Sequence, residues 1–325
     1  MFEKPSLMPT PRSTVLEDGP AKLYRFHPTT DVALVDAPPV FLVPSMINRW
    51  YVLDLRKGAS VVEAFVNAGL DVFLLDWGAP EDHDRYFTWA DALARLDRMF
   101  RRVLRETGKP KASVLGYCMG ATITSVHAAL HPEKYAGFVN LLGPIDFTKA
   151  GHLGTMTDPR WFDAEVVANA GNVSPEQMQS GFKLLRPTQD LSKMVTLMEK
   201  GFDPAFRVGY DALDAWASDN VAFPAAAYVT YIQDLYQNNL LLQGRHYVGG
   251  KRVDLKAIDC PLLTIAADKD NICPPNAAVA INTAVGSKDT KVLSVPGGHV
   301  GAVVGSKAAD KLYPALVTWM KERTA

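Results

Sequence analysis

The run Leu115-Gly116-Tyr117-Cys118-Met119-Gly120-Ala121 sets one cysteine between two glycines, each two residues away. Glycine at both positions lets backbone close on backbone around a tight strand-to-helix turn, and such a turn pushes its central side chain outward. The apolar run 112–115 before it reads as a strand, and residues 122–130 after it read as a helix. A thiol at a helix N-terminus is biased toward thiolate, because unpaired N–H groups and the helix dipole favour negative charge there. In this reading Cys118 is a nucleophile and the amide of Met119 is one oxyanion donor. The bland alternative is a small buried cysteine, the commonest state of a free thiol; the paired glycines and the strand-then-helix context favour the nucleophile.

A nucleophile of this kind needs a base and an acid that orients it, in the chain order nucleophile, acid, base. His299 stands in the glycine-rich run Pro296-Gly297-Gly298-His299-Val300-Gly301 after an apparent strand at 291–294. Asp270 follows an apolar run at 262–265, at the carboxyl end of a strand, where open α/β sheets place their sites. Asp268 competes with Asp270, and spacing does not separate them. Of the other histidines, His83 reads as a surface residue in an acidic loop and His131 as a helix end; His27, His127, His152 and His246 take the same surface or capping reading. Cys260 reads as structural. Cys273, three residues from Asp270, reads as a packing residue that could line the site.

Short apolar runs at 40–43, 72–75, 112–115, 138–142 and 262–265 predict buried parallel strands. Helical patterns at 60–68, 89–106 and 122–130 alternate with them, so the chain is expected to be α/β, with a mostly parallel central sheet flanked by helices. From 146 to 252 the alternation stops; that segment is helical in texture, rich in aromatic residues and Met, and broken by Pro159, Pro187, Pro204 and Pro224. It is expected to be a cap inserted between two halves of a core, 21–145 and 253–325. Residues 1–20, interrupted by Pro5, Pro9, Pro11 and Gly19, are expected to be a flexible arm. The 34 basic and 35 acidic side chains of the 325 residues form no long run of one sign, which argues against a nucleic-acid partner or a polybasic anchor. Three cysteines without metal-ligand spacing argue against a disulfide framework or a metal site, and no segment has the length and apolarity of a membrane span or signal peptide. A reducing cytoplasm is the expected location.

Once these residues are placed, the sequence resembles the polyhydroxyalkanoate synthases, enzymes of the α/β-hydrolase superfamily, from about Val40 to Arg323. The resemblance rests on Asn48-Arg49-Trp50-Tyr51-Val52-Leu53-Asp54-Leu55, Asp76-Trp77-Gly78-Ala79-Pro80, Tyr236-Gln237-Asn238-Asn239, Gly249-Gly250-Lys251-Arg252-Val253-Asp254-Leu255 and the His299 run, in that order. In length the chain is similar to the short catalytic subunits and lacks the long N-terminal domain of single-subunit forms. The resemblance implies an acyltransferase in which Cys118 takes the acyl group from a 3-hydroxyacyl-CoA, with CoA released and no cofactor. It implies that His299 deprotonates the thiol and that Asp270 helps activate the 3-hydroxyl. It also implies a homodimer, a helper subunit and attachment to polymer granules. The second oxyanion donor is expected after the first parallel strand, around 44–46, at Ser45. Three positions depart from the family pattern: Ala121 stands for a second glycine, Asn271 follows the acid where His is usual, and Phe223-Pro224-Ala225 replaces His-Pro-Gly. A thioesterase or esterase with the same nucleophile, or a non-catalytic scaffold, are the competing expectations.

Overall fold

The computed structural model describes residues 5–185 and 189–323, with side chains left undescribed at 189–193 and 205; Pro187 and the chain ends lie outside the described residues. The described residues form an eight-stranded sheet from β1 (Arg12–Asp18), β2 (Ala21–Phe26), β3 (Val40–Val43), β4 (Val72–Asp76), β5 (Ala112–Tyr117), β6 (Tyr135–Leu141), β7 (Leu262–Ala267) and β8 (Thr290–Val295). Their order is β1-β2-β4-β3-β5-β6-β7-β8; the six strands from β4 to β8 run parallel, and β1 and β2 are antiparallel at one edge. The apolar runs are continuous because both faces are covered. Phe41, Val43, Phe73, Leu75, Val114 and Phe138 belong to one buried cluster. Their neighbours Val40, Leu42, Val72, Leu74, Leu115 and Val139 belong to the other, as the two-residue repeat of a strand requires.

Helix α1 (Val61–Val66) follows β3, α2 (Trp89–Thr107) follows β4, and α3 (Met119–Leu130) follows β5. The sequence sets the ends of α2: Thr88 and Asp91 form a reciprocal capping box, and Gly108 ends the helix at φ +68°. Its buried stripe, with Trp89, Leu93, Leu96, Phe100 and Val103, lies against the sheet.

The arm expectation is corrected over much of its length. Residues 12–18 are a strand, paired with β2 through the two-residue loop Gly19-Pro20, with Gly19 at φ +61°. The prolines stop at Pro11, leaving a proline-free run, and β1 is mostly exposed, so it carries no apolar period to betray it. Just before it, Thr10 donates from its N–H and hydroxyl to the buried Asp54 carboxylate (3.2 and 2.7 Å), tying the arm to the core.

Between β6 and β7 the chain leaves the sheet for a helical excursion: α4 (Gly151–Met156), α5 (Ala164–Ala168), α6 (Pro175–Leu184), α7 (Gln189–Lys200), α8 (Pro204–Ser218) and α9 (Ala225–Thr230). A π-helical segment, Tyr231–Gln237, continues α9. The excursion is fastened to the loop after β3: Arg49 Nε and the Tyr51 hydroxyl both donate to Asp219 (2.9 and 2.8 Å), and Asn48 donates to Asn220 (2.8 Å). No helix among the described residues is long and apolar enough to cross a membrane.

Candidate active site

Cys118 sits between β5 and α3 at φ +56° and ψ −129°, a conformation that ordinary side chains rarely adopt and that costs on the order of 1–3 kcal/mol. The two flanking glycines make that turn possible. A Cβ on Gly120 would lie 2.0 Å from the Val43 carbonyl oxygen, and one on Gly116 would lie 2.4 Å from the Ala121 Cα. Ala121, where the resemblance leads one to expect glycine, is accommodated from across the turn: a Cβ on Gly143 would lie 2.3 Å from the Ala121 Cβ, so the space has moved to position 143.

The loops after β7 and β8 bring the acid and the imidazole to the same carboxyl edge of the sheet. His299 Nδ1–H donates to Asp270 Oδ2 (2.7 Å), and both side chains are buried. The other Asp270 oxygen accepts the Ile272 and Cys273 N–H groups (2.8 and 2.9 Å), so the carboxylate is held in one orientation. Asp268 does different work: its carboxylate accepts the Gly297 N–H (2.8 Å) and steadies the loop that carries His299. The far ring nitrogen, His299 Nε2, is buried and has no partner of hydrogen-bonding geometry among the described residues, yet the Cys118 sulfur is near enough to act on the ring. Burial by itself would lower the His299 pKa, but the Cys118 and Asp270 charges outweigh it and raise the pKa above the ordinary histidine value. Tyr117 stacks on the imidazole, centroids 5.4 Å apart and planes 26° apart, and its own buried hydroxyl has no partner among the described residues.

The half-buried Cys118 opens onto an apolar cavity of about 670 Å³ beneath the helical excursion, whose wall includes Ile47, Met119, Phe223, Tyr231 and Tyr236. Met119, the residue after Cys118, lines this cavity. Ser45 is buried with its hydroxyl accepting the Ile47 N–H (3.4 Å), and Ile47 rather than Ser45 lines the cavity. The sequence marked 146–252 as aromatic and singled out Phe223 and Tyr236, but not the other wall residues; a signal was present in the spacing of Tyr228, Tyr231 and Tyr236, which α9 and its π-helical extension turn toward one space.

Cys273 is buried against Ala277 and Ala278, and burial raises its thiol pKa; burial likewise pushes the Cys260 thiol up to about 12. Two histidines depart from the surface reading. His127 is buried in α3 between the Tyr135 hydroxyl (2.7 Å) and Asp97 (3.2 Å). His246 is buried between Trp89 Nε1 and Asp234 (3.1 Å each). Their partners lie 8 to 157 residues away in sequence, so nothing local announces them. Asp97, His127 and His131 are close enough for a metal, but the Lys134 ammonium already bonds the Asp97 carboxylate and His127 uses both ring nitrogens.

Comparison with known proteins extends the reading. A family model described as alpha/beta hydrolase fold matches residues 38–306, and one described as the N-terminus of poly-beta-hydroxybutyrate polymerase matches residues 6–65, including β1 and β2. Among solved structures, a hydrolase from Pseudomonas aeruginosa superposes with a TM-score of 0.58 at 16% identity, covering 95% of this chain and 98% of that one. A monoacylglycerol lipase from Paleococcus ferrophilus gives 0.56, also at 16% identity, covering 92% and 98%. Both support the fold. The poly(3-hydroxyalkanoate) polymerase subunit PhaC of Allochromatium vinosum is 31% identical, covering 97% of this chain and 89% of its own. Its Synechocystis counterpart is 30% identical, covering 97% and 85%. That of Haloferax mediterranei is 32% identical over 97% of this chain, which spans 64% of that relative's length. A chain that matches such relatives almost from end to end, on the sheet and turn described above, belongs to the poly(3-hydroxyalkanoate) polymerase family of the α/β-hydrolase fold.

Proposed function

We propose that this chain is an acyltransferase that polymerises 3-hydroxyacyl units from their CoA thioesters through a covalent intermediate on Cys118. The observation that carries it is the bonded His299–Asp270 pair together with Cys118, which opens onto an apolar cavity, in a chain of the polymerase family. His299 Nε2 takes the thiol proton, and Cys118 Sγ attacks the thioester carbonyl. The oxyanion that forms is met by the Met119 N–H, with the Ser45 amide as second donor. The C–S bond to CoA then breaks, and the imidazolium returns its proton to the leaving thiolate. In the second half of the cycle the 3-hydroxyl of another unit loses its proton to His299 and attacks the Cys118 thioester, forming the ester and freeing the thiol. Both Asp270 oxygens are engaged within the protein, so Asp270 acts on the hydroxyl through His299 by holding its ring and its charge. No metal or redox group takes part in these steps.

Residues 146–252 serve as the cap over a core of 21–145 and 253–325. An apolar lid favours polymerisation over hydrolysis by keeping water from the acyl-enzyme. A homodimer, a helper subunit and a cytoplasmic place at granule surfaces follow from the family resemblance and belong to this proposal; the relatives' names include the word subunit. The test is incubation with 3-hydroxyacyl-CoA. CoA release with insoluble polymer, lost in Cys118→Ala, is expected; CoA release with free hydroxy acid as the product would make the chain a thioesterase and overturn the reading.

A further inference from the structure

The cavity is larger than the smallest hydroxyacyl unit needs. A four-carbon 3-hydroxyacyl group has about six heavy atoms and fills on the order of 180 Å³ at roughly 30 Å³ per water-sized group. The cavity holds about 670 Å³. Its wall includes Leu153, Met156, Phe162, Met178, Gly181 and Phe182. Gly181 stands inside α6, where glycine weakens a helix and alanine or leucine would strengthen it. No tight turn or positive φ requires glycine there: a Cβ at 181 would meet only the Met156 Cε, at 3.9 Å. The missing side chain is volume given to the cavity.

We infer that Gly181 sets the length of acyl chain the site takes, and that the cavity receives the alkyl tail of a medium-length 3-hydroxyacyl group, about eight to ten carbons. This rests on the acyl-transfer reading above for its substrate class. Each methylene moved from water to this wall favours binding roughly fourfold, so a longer tail outcompetes a short one. A folded segment of growing polyester is the rival occupant. It would carry an ester carbonyl in every repeat, and on this wall the Thr157, Trp161 and Ser180 donors are already spent on the Leu153, Thr155 and Glu176 carbonyls.

The test uses two readouts on the full chain. In the first, Cys118 is alkylated with N-ethylmaleimide and N-octylmaleimide, each rate taken relative to free glutathione, with the labelled peptide identified by mass. Cys260 and Cys273 are buried, and Cys118→Ala gives the background. The octyl reagent is expected to react at least tenfold faster in the native chain; Gly181→Leu is expected to erase that advantage and Gly181→Ala to keep most of it. In the second, kcat/KM for 3-hydroxyoctanoyl-CoA is expected to exceed that for 3-hydroxybutyryl-CoA, and Gly181→Leu to reverse the order. Equal maleimide rates in the native chain, or a Gly181→Leu variant that loses four-carbon and eight-carbon turnover alike, would overturn the inference, the latter pointing to polymer in the cavity. If neither thioester is turned over but the octyl preference and its loss stand, the polymerase reading fails while the assignment of cavity and Gly181 holds.

Discussion

The carboxyl edge of the sheet and the helical excursion above it are built to different standards. At the edge, Cys118, His299 and Asp270 sit on loops whose backbones touch: Gly116 and Gly120 leave no room for a methyl group, and each Asp270 oxygen is engaged. The excursion shows water large apolar side chains, with Phe202, Met198 and Trp161 at 94%, 69% and 59% exposure, and a Cβ on Gly181 would meet no more than the Met156 Cε, at 3.9 Å. Atomic positions fixed by backbone contact suit a proton transfer that fails over an ångström. A wall of Met, Phe and Leu that tolerates a changed side chain suits the choice of substrate. On the proposed reading, then, the chemistry is held by the sheet edge, and what reaches it is decided by the helices.

The same substitution made in both regions gives the largest contrast. Gly120→Ala puts a methyl group 2.0 Å from the Val43 carbonyl oxygen, where only backbone could move. It is expected to cost roughly 4 kcal/mol or more and to lower the melting midpoint by about 10 °C. Gly181→Ala is expected to stabilise by about 0.5–1 kcal/mol, through helix propensity. Calorimetry on both variants checks the pair; equal and small effects would remove the distinction between the regions.

Asp270→Asn sharpens the edge's side of the comparison. The His299 pKa is raised by the Cys118 and Asp270 charges against the opposing pull of burial. Removing the Asp270 charge lowers it, so the imidazolium forms less readily near neutrality. The titration of the His299 imidazole, followed by NMR, is then expected to move down toward the ordinary histidine range, with CoA release down about 10²-fold or more. An unchanged His299 titration would remove Asp270 from the set.

These contrasts bear on what could be read before the fold was known. Five of the six parallel strands and the Cys118 turn were legible because each is a local demand: unbroken apolar runs mean burial on both faces, and paired glycines mean backbone contact; β8, half of whose residues are exposed, carries no such run. Asp270 emerged over Asp268 only in three dimensions, since both lie after the same strand and only the hydrogen bonds separate them. Gly143, which makes room for Ala121, was illegible because its partner is 22 residues away and neither residue is unusual alone. The strand β1 was hidden by its polar face, although Asp18-Gly19 was a turn signal available to be used.

A smaller effect is expected where the two regions are fastened. Asp219 at the end of α8 accepts from Arg49 and Tyr51 of the core, but it is about half exposed, which limits its worth to about 1 kcal/mol. Asp219→Ala is expected to leave the melting midpoint nearly unchanged while proteases cut the excursion severalfold faster. If cutting does not change, the Asn48–Asn220 contact and the apolar packing beneath carry the fastening instead.

The smallest expected effect tests the sheet edge from inside. Tyr117 presents two separable features to His299, a ring that stacks on the imidazole and a buried hydroxyl without a partner among the described residues. A ring face is electron-rich and favours a cation above it, so the stack supports the imidazolium. An unpartnered hydroxyl has lost its water without gaining a bond, so removing it relieves a cost. Tyr117→Phe is therefore expected to leave CoA release within about twofold and to match or slightly exceed the native stability. Tyr117→Leu removes the stack and is expected to move the His299 titration in the same direction as Asp270→Asn, by less. Rescue by Phe but not Leu assigns the effect to the ring; a Phe variant as impaired as Leu would mean that the hydroxyl, not the stacked face, serves the site.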